Sequence, residues 1–486
     1  MSNASQTQLN VLLICVDHWP GPLLRTAGHS HVFTPTLDQL CRNGVRYANA
    51  YSTTPTCIPA RRALMTGTTA KTHGDRTFRE FEPMDPSLPT MAQTFRDAGH
   101  QAYAVGKLHV YPQRDRIGFD DVLINEESRH HLGGGVDDYE RYLSDHGYAG
   151  QELTHGIGNN SYVVRPWHLP EQYHQTFWAT RQMCETIRRR DPNRPAFWYV
   201  SYPAPHPPIT PPEEYLRHYE HFGVDEPFIG EWAEDFEALP HALKMHRGHR
   251  NIDLDSDEIA NARMGFYAQC TYVDHQIRLL IGQLREAELL DNTIIGFTSD
   301  HGDMLGNHGL WAKPPMFEWS AKIPMILMPT AASDRLGHHL RDDRLAELRD
   351  VMPTLLDLCD IPIPETVEGD SLAGEKEGKR QHLYCEHFEN DLAMRMIRAD
   401  RYKLIWYPVG NRLQLFDVVE DPREMTDLAA VAEFAQVRRR LTALLVTELY
   451  GVDLEWVGED GELVGLPDKV FEPAPNRGLS GQRGWR

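Results

Sequence analysis

Cysteine is scarce in this chain. Seven occur in 486 residues, at positions 15, 41, 57, 184, 270, 359 and 385. The number is odd and no two form a C-x-x-C pair, which excludes a disulfide framework and fits a reducing compartment. Long apolar runs are absent too: nothing approaches a membrane span, and Met1 to Asn10 carries neither the basic nor the apolar segment of an export signal. The chain is therefore expected to be the whole mature protein, made and kept in the cytoplasm, with no membrane partner. Positive charge is in deficit, with 49 Lys and Arg against 70 Asp and Glu and a formal net charge of −21. That field excludes nucleic acid and anionic membrane surfaces as partners, and an anionic substrate would need a local cationic pocket to overcome it. Internal repeats and low-complexity tracts are missing as well.

What is present is the composition of a folded chain, 41% hydrophobic and 24% charged, long enough for a large core and more than one domain. Asn10 to Val16 is a short, largely apolar run ending at Asp17-His18, the pattern of a strand buried on both faces. Similar runs are Gln101 to Val105, ending at Lys107-Leu108-His109, Ala196 to Tyr202, ending near His206, and Thr293 to Thr298, ending at Asp300-His301. Helical periodicity surrounds Leu37, Leu40 and Val45, and helices are expected over Met91 to Ala98, Glu171 to Arg189, Glu258 to Glu288 and Leu345 to Leu358. Strands alternating with helices define an α/β fold, a large, mostly parallel sheet sandwiched by helices. In such sheets ligands bind beyond the C-terminal strand ends, so the polar residues at these four exits are expected to converge.

From about Gly378 the pattern changes to four short strands in succession, His382 to Glu386, Ala393 to Ile397, Tyr402 to Tyr407 and Gln414 to Asp417, then a helix from Val431 to Leu449. A smaller C-terminal antiparallel sheet with a covering helix is expected. The division is a catalytic domain over 1–377, this subdomain over 378–451, and an arm over 452–486. The arm holds many large apolar residues without periodicity, and either lies across a second subunit of a dimer or tetramer or packs back on its own.

The densest motif is Cys57-Ile58-Pro59-Ala60-Arg61, followed by Arg62-Ala63-Leu64-Met65-Thr66-Gly67. Pro59 suits the first turn of a helix, which puts Cys57 at a helix N-terminus with Arg61 one turn on. Unpaired N–H groups, the helix dipole and a guanidinium together make a seat for an oxyanion. The bland alternative is a buried cysteine beside a surface arginine.

This string resembles the C-x-P-x-R signature of type I sulfatases, of the alkaline phosphatase superfamily, in which the cysteine is oxidised to formylglycine. Further resemblances follow in the family's order: Asp17 after the first strand, Gly106-Lys107-Leu108-His109, Ala204-Pro205-His206-Pro207-Pro208, Ser299-Asp300-His301-Gly302 through Lys313, and Leu415-Phe416-Asp417 with Asp421-Pro422-Arg423-Glu424. The resemblance implies a sulfate monoester hydrolase with one divalent ion, Ca²⁺ or Mn²⁺, held by Asp17, converted Cys57, Asp300 and His301. Arg61, Lys107, His109, His206 and Lys313 would be the remaining catalytic residues, and a formylglycine-generating or sulfatase-maturating enzyme a partner. A hydrated aldehyde at 57 would attack sulfur, His206 or Lys313 would protonate the leaving oxygen, and loss of the second hydroxyl proton, to His109, would expel sulfate.

Two pairs depart from the common pattern. Asp17-His18 and Asp300-His301 replace all-oxygen pairs, and imidazole suits transition ions better than Ca²⁺. His301 as a ligand resembles the branch that includes choline sulfatases and phosphonate monoester hydrolases, so hydrolysis of phosphonate monoesters or phosphate diesters is the alternative activity, while the sequence leaves open whether His18 ligates or only lines the site. A non-catalytic binder of sulfated ligands is a third reading. Substrate choice is expected to reside in Glu126 to Gly135 and Trp167 to Trp178.

Overall fold

The computed structural model describes residues 9–472, apart from 134, 251–255, 314, 331–332, 334, 337–340 and 375–379. Among the described residues eight strands form the larger sheet: β1 (Asn10–Asp17), β2 (Val45–Tyr51), β3 (Gln101–Gly106), β4 (Asp121–Ile124), β5 (Ala196–Pro205), β6 (Thr293–Ser299), β7 (Met325–Met328) and β8 (Arg341–Glu347). Their order is β4-β3-β5-β1-β6-β7-β2-β8. All neighbours run parallel except β7, which is antiparallel to both β6 and β2.

β1 is buried along its whole length, and its alternating side chains divide between two cores, as a period of two requires. Leu12, Ile14 and Val16 meet the helices Pro35–Asn43, Gln175–Arg188 and Ser256–Glu286. Val11, Leu13 and Cys15 meet Cys57–Thr66, Met91–Asp97 and Val351–Leu358.

β9 (His382–His387), β10 (Met394–Ala399), β11 (Tyr402–Tyr407) and β12 (Arg412–Asp417) form the expected antiparallel meander. The helix Ala435–Glu448 covers it with Leu441 and Leu445 over Ile397, Leu404 and Trp406. A buried ion triad fastens this sheet to the large one. Lys403 Nζ stands 2.7 Å from both Glu318 Oε1 and Glu424 Oε1, and Tyr51 of β2 donates to Glu318 Oε1 at 2.7 Å. The D-P-x-E glutamate is thus a structural residue, as is His308, whose ring accepts from Gly230 N and faces the Arg423 carbonyl.

Three expectations need correction. The helix expected over Leu345 to Leu358 is the end of β8 followed by Val351–Leu358. A reciprocal cap, with Glu347 and Asp350 each bonded to the other's backbone, marks the change. Val45 begins β2 because the preceding helix stops at Asn43, where a side chain on Gly44 would meet Leu327 O at 2.3 Å. The expected helix Glu171 to Arg189 is broken at His174, whose imidazole accepts from Thr176 N and caps Gln175–Arg188.

The expected boundary at 377 lies outside the described residues. Up to residue 472 the C-terminal stretch lies against its own chain. Asp453 is buried between Arg76 and Arg395 at 2.8 and 2.7 Å, Trp456 and Leu463 join the C-terminal core, and Phe471 meets Phe236 edge-on. Leu454, Val464 and Val470 are exposed. No helix among the described residues is long and apolar enough to cross a membrane.

Candidate active site

Five strand ends and one helix N-terminus build the site. Cys57 opens the helix Cys57–Thr66, with Thr56 as its N-cap and Gly67 closing it in the left-handed region, φ 67°. Cys57 Sγ lies 3.2 Å from His301 Nε2 and 3.7 Å from Asp17 Oδ1. Asp17, His18, Cys57 and His301 present ligand atoms all within 4.8 Å of one another, and all four are buried. The sequence left the role of His18 open. Its Nδ1 is 2.8 Å from Asp303 Oδ2, which fixes that atom as the N–H and turns the Nε2 lone pair toward Asp17 Oδ1, 3.6 Å away. His301 is oriented the same way, with Nδ1 2.9 Å from Gly302 O.

Arg61 is only 3% exposed and its donors go to protein groups. Nε donates to Asp300 Oδ2 at 2.9 Å, Nη1 to Lys107 O and Ser201 Oγ at 2.9 Å each, and Nη2 to Asp17 Oδ2 at 3.4 Å. It therefore braces two carboxylates and the β3 exit. That brace needs β3 and β5 close together, and Gly106 permits it: a Cβ there would lie 1.9 Å from Ser201 O, at φ 105°. Lys107 Nζ bridges Asp17 Oδ2 at 2.5 Å and Glu127 Oε2 at 2.7 Å. Lys313 Nζ lies against His18 Nε2 and is the half-buried member of the group. The His206 ring packs edge-on against His18, centroids 4.2 Å apart. His109 is set further out, with Nε2 3.3 Å from Arg129 Nη1 and Phe78 against its ring.

The electrostatics follow from this crowding. Burial raises the Asp17 pKa, but Lys107, His206, His18 and Arg61 hold it well below the usual carboxylate range. Burial and Asp17 push the Cys57 thiol up, while Lys313, His301 and Lys107 outweigh them and lower it. Burial, then Arg129 and Lys107, drive His109 well below its ordinary value and keep it neutral. Burial also lowers His206, against the pull of Glu127 and Asp17.

Every site residue named from the sequence falls in or beside this cluster. Glu127, Ser201, Asp303 and Tyr162, whose hydroxyl donates to Asp303, were not named. Arg129, like Glu127, lay only within the segment 126–135 expected to shape substrate choice, and Asp303 only within the Ser299 to Lys313 motif, without a role of its own. The available signal was Asn125-Glu126-Glu127 directly after Asp121–Ile124, a strand exit hidden by the shortness of β4. His18, His109, Glu127 and Ser128 all have left-handed backbone, φ 55–71°, uncommon for residues with a side chain and concentrated where strain is used to aim groups.

A doubly covered parallel sheet that gathers carboxylates, imidazoles and lysines around a helix N-terminus at its strand exits is the architecture of the alkaline phosphatase superfamily. Within it, the chain belongs to the sulfatase family, which it matches over residues 9–361, with a second match to the N-sulphoglucosamine sulphohydrolase C-terminal region over 306–449. It is 32% identical over 475 residues to an arylsulfatase of Clostridium perfringens, covering 94% of this chain and 98% of that one. It is 28% identical over 437 residues to a choline-sulfatase of Rhizobium meliloti, covering 86% and 82%. The fold is similar to that of the phosphonate monoester hydrolase of Agrobacterium radiobacter, with a TM-score of 0.77, 23% identity, and coverage of 94% and 99%.

Proposed function

We propose that the protein hydrolyses sulfate monoesters, aryl sulfates foremost, to a phenol or alcohol and inorganic sulfate. The carrying observation is the position of Cys57: at a helix N-terminus, 3.2 Å from His301 Nε2, with Asp17 beside it and Lys107 and Lys313 on its flanks. Residue 57, oxidised to formylglycine by a maturation enzyme, would supply an oxygen nucleophile, its oxygens standing where Sγ now lies. The donor set of carboxylate oxygens and imidazole nitrogens fits one divalent ion, held by Asp17, Asp300, His301, residue 57 and, by the orientation of its ring, His18. Such an ion supplies charge neutralisation at the nucleophile and the sulfate oxygens.

The chain's own groups do the rest. Lys107 and Lys313 bring positive charge to the sulfate oxygens as the S–O bond breaks. Arg61 holds Asp17 and Asp300 in place. His206 gives a proton to the departing oxygen, and neutral His109 accepts one when sulfate is released. The mixed nitrogen and oxygen donors favour Mn²⁺ or a similar ion over Ca²⁺. They also support a second reading, hydrolysis of phosphonate monoesters or phosphate diesters. Steady-state kinetics on matched aryl sulfate, phosphonate monoester and phosphate diester substrates, with protein co-expressed with a maturation enzyme, decides between them. The highest kcat/KM on the sulfate is expected, and preference for either phosphorus ester by tenfold would reverse the assignment. A cytoplasmic location and a dimeric or tetrameric state belong to the same proposal.

A further inference from the structure

The turn 125–129 has no place in the reaction as so far described, yet it puts a carboxylate in a pocket meant for an anion. Glu127 and Ser128 are consecutive left-handed residues, φ 55° and 58°. Neighbours hold them there: Glu127 N donates to Asn125 Oδ1 at 3.3 Å, Glu126 Oε1 accepts from Leu108 N and His109 N at 2.8 Å each, Glu126 N donates to Asp137 Oδ2 at 2.7 Å, and Ser128 Oγ donates to Glu152. The Glu127 carboxylate is 3% exposed. Oε2 takes Lys107 Nζ and Arg129 Nη1, each at 2.7 Å. Oε1 stands 3.1 Å from His206 Nδ1, an ion-pair contact, and accepts no hydrogen bond among the described residues.

We propose that Glu127 is a positioning residue for the leaving-group acid, an inference that rests on the reading of His206 as that acid. The Pro207 carbonyl, 2.5 Å from His206 Nδ1, can only accept, so Nδ1 carries a proton in every state of the ring, and the Glu127 carboxylate stands beside it at 3.1 Å. Nε2, on the opposite side, is then the atom that gives up its proton. When the S–O bond breaks, the electron pair stays on the departing oxygen, which takes the Nε2 proton, and the ring is left as the neutral Nδ1–H form. The imidazolium is thus the acid form, and Nε2 takes a proton back from solvent before the next turnover, while the Nδ1–H held against Pro207 O spares a ring flip. The carboxylate beside Nδ1 opposes the burial that disfavours the protonated ring and fixes its orientation. Lys107 and Arg129 offset the charge of Glu127 toward the substrate.

The test uses full-length protein co-expressed with a maturation enzyme and two sulfate esters, a nitrophenyl sulfate with a good leaving group and an alkyl sulfate with a poor one. Glu127→Gln is expected to lower kcat on the alkyl ester by about 10²-fold and on the nitrophenyl ester by only a few-fold, with Glu127→Asp recovering part of the loss. In a His206→Ala background the same change should have almost no further effect, because both act through one group. Equal losses on both esters, or losses that multiply in the double variant, would overturn the proposal and leave Glu127 a counter-ion of Lys107. If His206→Ala itself shows no dependence on leaving group, the acid assignment falls and takes this proposal with it; if only Glu127→Gln lacks it, the acid assignment stands. Should Glu127→Gln not fold, ¹⁵N spectra of the His206 ring in the unaltered protein decide: an Nδ1–H neutral tautomer supports the proposal and an Nε2–H tautomer overturns it.

Discussion

Cys57 is where single atoms decide most. Replacing it by Ala removes only Sγ from a buried position and leaves the surrounding charges paired with one another, so turnover should vanish while the urea midpoint moves little. Mass spectrometry of the peptide spanning residue 57 should show the thiol replaced by an aldehyde or its hydrate in active protein. His301→Asn should weaken the hold on a divalent ion by about 10–100-fold, read as metal content after dialysis, and Mn²⁺ added back after chelation should restore more activity than Ca²⁺. If His301→Asn leaves metal content unchanged, the imidazole is no ligand. At this scale the sequence was most legible, because strand exits in a parallel sheet must converge and Asp17, Lys107, His206 and Asp300 each end a strand. Glu127 was not legible, since its strand is four residues long and its left-handed backbone leaves no periodic trace. Arg61 was placed correctly and aimed differently: sequence gave its helical spacing from Cys57, whereas the carboxylates that claim its N–H groups come from β1 and β6, more than forty residues away on either side.

Elements were legible in proportion to their burial. β1, β3, β5 and β6 are central, apolar and uninterrupted, whereas β8 at the sheet edge alternates exposed and buried residues and was absorbed into the following helix. The joint between the two sheets was invisible for another reason, since Glu318, Lys403 and Glu424 are far apart in sequence and each is an ordinary charged residue until packed. Lys403→Met is expected to cost about 3–5 kcal/mol of stability, measured by urea unfolding, because it leaves Glu424 buried without its cation and Glu318 with only Lys322, 3.1 Å away. Burial, opposed by Lys403 and assisted by Glu318, already lifts Glu424 to about 7. A carboxyl raised in the folded state stabilises least once pH exceeds its folded value, so the defect of Lys403→Met should shrink as pH is lowered from 8 toward 5. A defect independent of pH would mean that lost packing, not charge, is responsible. Asp453 carries a similar lesson for truncation. Cutting after Gly451 strips Arg76 and Arg395 of their shared carboxylate, so a cut after residue 472 is the cleaner probe of assembly.

Over the whole molecule, the net charge of −21 sets a repulsive field against any anionic ester approaching the site. Raising ionic strength from 10 to about 150 mM shortens the reach of that field to roughly 8 Å, so KM for an aryl sulfate should fall a few-fold while kcat holds. A KM that rises with salt instead would show that the lysines at the mouth, not the net charge, govern approach. The scale of the fold also fixes an order of events. Cys57 ends up 1% exposed, enclosed by Asp17, Lys107, His301 and Lys313, so no second macromolecule can lay hold of its thiol once the sheet has closed. If Cys57 is converted as proposed, its conversion would be a race against folding, won on the nascent or unfolded chain or not at all. Two molecules identical in shape and stability would then differ permanently in competence, and the active fraction of a preparation would record how long residue 57 stayed within reach rather than how well the protein folded.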